Sequence, residues 1–131
     1  MSDLQVDIVT PQKLVYSGRA TEVRAPGWEG EFDVLPGHAS LLALMHGGIL
    51  TLETAEGSKR FVVGRGFAEA GPDRVTILTD RCLTKEQVDR AEAEKLRIEA
   101  QGELALGNAH DELATARILE KLEIAQAMLD I

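Results

Sequence analysis

A change of texture at Thr84 constrains this chain more than any other feature of its sequence. Before that point, short runs of alternating apolar and polar residues are punctuated by Gly and Pro. After it, Pro disappears, Gly becomes sparse, and Ala, Leu, Glu, Lys and Arg dominate. Alternation with a period of two specifies half-buried strands, and a run of strong helix formers specifies helices, so a β unit precedes an α unit. A length of 131 residues with 44% hydrophobic content suits one core with an attachment better than two independent domains. The expected division is a β-sandwich over 1–83 and a helical hairpin over 84–131.

Within the β unit, Leu4, Val6 and Ile8 alternate with Gln5 and Asp7, and Thr21, Val23 and Ala25 alternate with Glu22 and Arg24. Each run should keep one wet face. Leu50–Glu53 and Arg60–Val63 flank the segment 55–59, where Gly57 can supply the positive φ of a hairpin loop. A second hairpin joins Gly66–Ala70 to Val75–Thr79 through Gly71-Pro72-Asp73. Many short strands at this spacing predict an antiparallel sandwich and argue against βαβ units.

In the α unit, Thr84-Lys85-Glu86-Gln87 has the form of a capping box, which predicts a helix from Lys85 to about Leu106. Gly102 weakens it by ~1 kcal/mol relative to Ala, and Gly107-Asn108 offers a stop. A second helix should cover about Asp111 to Leu129, with Ile118, Leu122, Ala125 and Leu129 as its stripe, broadened by Leu119 and Met128. A short loop between the two predicts an antiparallel pair. Large side chains gain ~1.5–3 kcal/mol each when fully buried, and the entropy of ordering the segment opposes that gain, so the hairpin is marginal alone. Most amphipathic hairpins are static caps; a hairpin that exchanges docking surfaces is the alternative.

A formal charge of −8 opposes nucleic-acid binding and a polybasic membrane surface. The single cysteine, Cys82, cannot form an intrachain disulfide and reads as a small apolar residue near a strand end. His38, His46 and His110 lack the spacing that places two metal ligands on one helical face. There is no G-x-S-x-G elbow, and Gly64-Arg65-Gly66 has no third Gly at dinucleotide spacing and no phosphate-cradling Lys-Ser or Lys-Thr after it. Glu29 and Glu31 read as a solvated acidic loop in preference to an acid/base pair. Neither a catalytic residue, a metal nor a cofactor is therefore expected. Met1-Ser2-Asp3 shows no basic n-region, and no segment approaches ~20 apolar residues, so direct membrane insertion is not expected either.

The most distinctive stretch is Gly30-Glu31-Phe32-Asp33-Val34-Leu35-Pro36-Gly37-His38-Ala39-Ser40-Leu41-Leu42. Pro36 fixes φ and lacks a donor while Gly37 admits a left-handed conformation, which forces a bend between two strands. The stretch resembles the G-E-x-x-x-x-P-G-H-A-P-L-L signature of epsilon subunits of bacterial and chloroplast F-type ATP synthases, equivalent to the mitochondrial delta subunit. Matches continue in order at Thr10-Pro11, Val15-Tyr16-Ser17-Gly18, Gly47-Gly48-Ile49-Leu50, Gly64-Arg65-Gly66-Phe67-Ala68-Glu69 and Val75-Thr76-Ile77-Leu78-Thr79-Asp80. Ser40 departs from the family's usual Pro, which should loosen the backbone after His38.

The resemblance implies a noncatalytic rotor component that couples rotation of the membrane ring to the gamma subunit of a proton-translocating synthase. It implies a peripheral position on the cytoplasmic side of the cell inner membrane. Glu29, Gly30 and Glu31 fall on the family loop that approaches the ring subunits, and His38, Ala39, Leu41 and Leu42 lie near surfaces used against gamma and the ring. In the family the hairpin can extend along gamma toward the catalytic alpha and beta subunits and restrain ATP hydrolysis, using basic residues of its last helix. Here that helix has Arg117 and Lys121, on one face at i, i+4, against Asp111, Glu112, Glu120, Glu123 and Asp130, which implies weak restraint. Some members bind ATP through I/L-D-x-x-R-A; Val88-Asp89-Arg90-Ala91-Glu92-Ala93 puts Glu92 where the Arg should be, and a carboxylate there repels phosphate. Two readings compete from other classes. A stand-alone ligand-binding sandwich would travel with its ligand, and a small hydrolase or isomerase would need a convergent nucleophile, base or metal set.

Overall fold

The computed structural model describes residues 3–107 and 111–131. The strands are β1 (Leu4–Val9), β2 (Leu14–Ala20), β3 (Glu22–Ala25), β4 (Phe32–Val34), β5 (Leu41–Met45), β6 (Gly48–Thr54), β7 (Gly57–Val63), β8 (Gly66–Ala70), β9 (Arg74–Thr79) and β10 (Cys82–Thr84). A 3₁₀ turn at Lys85–Gln87 leads to helices α1 (Arg90–Ala105) and α2 (Glu112–Asp130). The strands form two five-stranded sheets, which we call sheet A (β2-β1-β9-β8-β5) and sheet B (β10-β7-β6-β3-β4).

The expected sandwich followed by a helical hairpin is therefore the observed class, with one exception to antiparallel pairing. β1 lies antiparallel to β2 but parallel to β9, with Gln5 opposite Arg74 and Val9 opposite Leu78. The alternating residues of β1 and β3 do divide inward and outward: Leu4, Val6, Ile8, Val23 and Ala25 are all fully buried, whereas Thr21 is exposed just outside β3. Both predicted hairpins form. In the first, Thr54 pairs with Gly57, so the loop shrinks to Ala55-Glu56 and the strands reach further than expected. Gly57 has φ 107, the left-handed region that a side chain would resist.

The Pro36-Gly37 corner has Gly37 at φ 87 and the His38 N–H bonded to the Leu35 carbonyl at 3.1 Å, the features of a type II turn. It carries the chain from β4 in sheet B to β5 in sheet A, so it is a crossing between layers. The Gly37 N–H also donates to the Pro72 carbonyl at 2.7 Å, tying this corner to the β8–β9 turn.

β7 departs from the alternation of β1 and β3, with Phe61, Val62 and Val63 buried in succession. Phe61 and Val63 face the core between the sheets, and Val62 packs with Ala93, Ile124, Ala127 and Met128 of the hairpin. At the end of β7 sheet B is covered on both sides, which erases alternation there while β3 and β6 keep it. The expected helix does not begin at Lys85. Thr84 pairs with Phe61 in the sheet, and although its N–H reaches Gln87 Oε1 at 2.9 Å, the chain extends again at Val88. Asp89 is the better cap: its carboxylate accepts the Ala91 and Glu92 N–H groups, and α1 starts at Arg90.

α1 ends at Ala105, and the Gly107 N–H bonds to the Leu104 carbonyl at 3.2 Å; Asn108 and His110 lie outside the described residues. Asp111 caps α2 through the Ala114 N–H. The helices run antiparallel, since Arg90 near the start of α1 donates to the Leu129 carbonyl and Glu103 near its end meets Lys121. Ile124 and Ala127 join Ala125 and Met128 as buried residues of α2, while Leu119 stays exposed, because α2 must cover both α1 and sheet B. Cys82, half-buried at the head of β10, packs against the core, and burial pushes its thiol up to about 11, so it is inert at neutral pH.

Candidate partner-docking surface

The hairpin covers sheet B and leaves the outer face of sheet A open. The strand register aligns Leu44 with Phe67, Phe67 with Leu78, Leu78 with Val9 and Val9 with Leu14. One apolar row thus crosses all five strands, and Leu44 (55%), Phe67 (45%), Leu78 (44%) and Leu14 (57%) keep about half their surface in water. Trp28 extends the row past the sheet edge, as its N–H bonds to the Leu44 carbonyl at 2.9 Å. Covering the exposed half of such side chains gains roughly half of the ~1.5–3 kcal/mol that full burial supplies, and an apolar strip of this kind marks an interaction site.

The adjacent row pairs Leu42 with Glu69, Glu69 with Thr76, Thr76 with Asp7 and Asp7 with Ser17. Asp7 accepts the Ser17 hydroxyl at 2.7 Å and Gln5 Nε2 at 3.2 Å, and Arg74 Nη1 lies 3.1 Å from its second oxygen. The Ser17 and Gln5 hydrogen bonds hold its carboxyl below the usual range. A docked partner would meet a greasy row beside a fixed polar one, which defines register as well as affinity.

Sequence reasoning missed Trp28, Leu44, Phe67, Leu78 and Leu14. The legible signal was an inverted pattern in Gly66-Phe67-Ala68-Glu69-Ala70. Ala68 and Ala70 are buried and Phe67 is outside, because Leu50, Leu52 and Phe61 of sheet B already fill the core opposite.

The expected contact residues fall in two groups. Glu29 and Gly30 occupy an exposed turn closed by the Gly30 N–H on the Gly27 carbonyl, and Glu31 is exposed with a carboxylate oxygen 3.9 Å from Arg24 Nε. With Trp28, Leu41 and Leu42 they line one cleft of about 550 Å³ beside the β5 edge. His38 and Ala39 are not part of it; they sit at the Pro36-Gly37 corner, where His38 Nδ1 lies 2.6 Å from the Ala39 carbonyl and must therefore donate. Ser40, Leu41 and Leu42 link the two groups through a neighbouring cleft of about 500 Å³ that also includes Glu69 and Arg74.

The family described as ATP synthase, Delta/Epsilon chain, beta-sandwich domain matches residues 3–85. The chain is 37% identical to the ATP synthase epsilon chain of Magnetococcus marinus over 96% of its length and 91% of that protein's. The chain belongs to the ATP synthase delta/epsilon family. Epsilon chains of Delftia acidovorans (35% identity, covering 98% of this chain and 93% of that one) and Moorella thermoacetica (36%, covering 98% and 100%) agree. Membership makes it a noncatalytic epsilon-type subunit of an ATP synthase assembly.

The epsilon-type fold is also seen in a chain of the Euglena gracilis mitochondrial ATP synthase OSCP/F1/c-ring structure, with TM-score 0.82, 22% identity and coverage of 98% of this chain and 80% of that one. A chain of the Tetrahymena thermophila mitochondrial ATP synthase central stalk/c-ring structure gives TM-score 0.64 at 17% identity, covering 96% of each. Among the described residues of this epsilon-type subunit, no helix is long and apolar enough to cross a membrane.

On its hairpin, Arg117 and Lys121 are both exposed, one turn apart on α2. Lys121 Nζ lies 3.2 Å from Glu103 Oε1 of α1, an exposed pair of the kind worth ~0–1 kcal/mol and easily exchanged. Asp89, the acid of the nucleotide pattern in the resemblance, is used here to cap α1.

Proposed function

We propose that this epsilon-type subunit works in the central stalk of an F-type proton-translocating synthase, where the sandwich couples rotation of the membrane ring to gamma. The observation that carries this reading is the apolar row Leu14-Val9-Leu78-Phe67-Leu44, continuous with Trp28 and flanked by the Glu29-Gly30-Glu31 turn. A strip five strands wide offers a shaft a rigid face with little entropy left to lose. In this reading gamma covers the row together with Leu41 and Leu42, ring loops meet Glu29, Gly30 and Glu31, and His38 and Ala39 lie at the rim. The subunit is peripheral, on the cytoplasmic face of the cell inner membrane.

Residues 1–83 form the rotor-foot domain and 84–131 a regulatory hairpin; the family match over 3–85 and the separate apolar cluster under the helices support that division. Binding to purified gamma tests the main reading. Phe67→Asp places a charge in the centre of the row at an outward position, so affinity should fall at least tenfold (~1.4 kcal/mol or more) while the circular dichroism of the sandwich is unchanged. Undiminished binding by that variant sinks the assignment.

Restraint of ATP hydrolysis by the hairpin is the second element of the proposal, with Arg117 and Lys121 as its contacts to the catalytic head. Four acidic residues of the same helix and its Asp111 cap oppose a negatively charged partner, so the restraint is weak. Removing 84–131 from the assembled synthase should raise hydrolysis less than about twofold, which corresponds to ~0.4 kcal/mol. A many-fold activation would show strong restraint instead.

A further inference from the structure

The Gly64-Arg65-Gly66 segment borders the surface described above, and its geometry is unusual. A Cβ on Gly64 would lie 1.8 Å from Asp80 Oδ1, and one on Gly66 would lie 1.8 Å from the Leu78 carbonyl oxygen. At Gly66 the obstacle is backbone, so only a glycine there lets the β7–β8 turn press so closely on the end of β9, whereas the Asp80 carboxylate beside Gly64 could swing aside. The turn presents Arg65 to α2. Arg65 donates to Glu123 twice, Nε to Oε1 at 3.2 Å and Nη2 to Oε2 at 3.0 Å. Its guanidinium carbon also stands 5.2 Å from the centre of the Trp28 ring.

Glu123 is reached from a second direction. Its Oε1 accepts the Gly47 N–H at 2.9 Å, and a Cβ on Gly47 would lie 3.0 Å from Glu123 Cβ, so α2 rests on that backbone. Gly47 follows His46, whose N–H bonds to the Pro26 carbonyl at 3.1 Å, close to Trp28 in the same loop. The loop that carries Trp28 and Glu29 is therefore joined to the hairpin by one cation and one short stretch of backbone. A guanidinium that faces an indole and forks onto a carboxylate is held in orientation by both partners, and loss of either frees the other.

We infer that Arg65 is a positioning residue that couples contact at Trp28 to docking of the hairpin. A partner side chain that covers the indole, apolar or cationic, competes for the face Arg65 uses, and Glu123 then loses its fixed fork. The coupling is reciprocal: undocking α2 releases Arg65 and changes the surface Trp28 offers. This inference rests on the reading that the Trp28 loop meets a partner, but the coupling itself is a property of the free chain.

The test therefore uses the intact subunit without any partner. Trp28 is the sole tryptophan, so its quenching by acrylamide reports on its cover directly. Glu123→Gln should raise the quenching constant about twofold, and Trp28→Ala should speed hydrogen exchange of the amides of Ile124 to Leu129 about threefold, the size of one exposed cation–π contact. Arg65→Lys, which keeps the charge and loses the fork, should show both effects, and the double variant Trp28→Ala/Glu123→Gln should exchange no faster than the faster single one. Unchanged Trp28 quenching in Glu123→Gln, unchanged exchange in Trp28→Ala, or multiplied effects in the double variant would overturn the coupling. Those failures leave the binding result for Phe67→Asp untouched, so the two readings fall separately.

Discussion

The sandwich and the hairpin are both apolar inside, but they differ in how much of that interior belongs to them. Between the sheets, Leu4, Val6, Ile8, Leu50, Leu52, Val75 and Ile77 are fully buried and contributed by strands of both layers. Under the hairpin, the buried set is Ala93, Ile124, Ala127 and Met128 together with Val62, which is borrowed from β7. Away from sheet B the helices leave Ile98, Leu106 and Leu113 exposed. The sandwich closes on itself, whereas the hairpin is completed by a surface it does not own. An element so held opens at a lower free energy than the body it rests on.

The sharpest way to break this contrast is to cut equally sized holes in both interiors. Leu52→Ala should cost the whole sandwich ~3 kcal/mol or more and lower the protection of all its central strands in hydrogen exchange. Ile124→Ala should cost ~2–3 kcal/mol but only at the hairpin, leaving exchange in β1, β6 and β9 unaltered. If Ile124→Ala also destabilised those strands, the two parts would be one cooperative unit. A smaller effect sharpens the comparison within the hairpin. Asp89→Ala removes the acceptor for two N–H groups and should lower α1 stability by ~1 kcal/mol, read as faster exchange in its first turn.

The smallest effect concerns pH. Burial, and then the nearby Asp80 carboxylate, raise the Glu120 carboxyl above its ordinary 4.5. Its charge therefore opposes docking at neutral pH, and that penalty is relieved as pH falls through the raised value toward the ordinary one. Glu123 behaves oppositely: burial would raise it, but Arg65 and the Gly47 N–H outweigh that and lower it. Its contribution is present above its ordinary value and is lost as pH falls through the lowered one. Docking should thus be strongest near the ordinary carboxyl range. Glu120→Gln should tighten docking at pH 7 by about 0.5 kcal/mol, discounted for exposure, and flatten the neutral side of the profile. A variant that loosens the hairpin at pH 7 would contradict the assigned sign.

Much of this architecture was legible because local patterns agreed with the global fold. Leu4, Val6 and Ile8 advertise a strand with one buried face, Gly57 and Gly37 sit where positive φ is required, and the Gly30–Leu42 stretch points to the family. What escaped depends on contacts between distant elements. β2, β4, β5 and β10 are not separable by alternation alone, and the parallel pairing of β1 with β9 leaves no local signature. Thr84 and Gln87 do form the capping box, but it heads only the 3₁₀ turn at Lys85–Gln87, because Thr84 is still paired with Phe61 of β7 and the chain extends again at Val88 before α1 begins. The acidic turn and Leu42 entered through the family resemblance; the row through Phe67 did not, since large exposed residues read as core until the opposing sheet is known. Arg65 was noted only as part of a glycine pattern, and its partners, Trp28 and Glu123, lie far away in sequence.

The parallel pairing of β1 with β9 has a consequence for how the polypeptide acquires its shape on the ribosome. Gln5 must wait for Arg74, so the centre of sheet A stays open until nearly all of the sandwich has been synthesised. The last helix emerges later still, and the bed that receives it is finished by then. Newly made chains should pass through a stage in which the two-sheet body is complete and the tail has yet to find its seat.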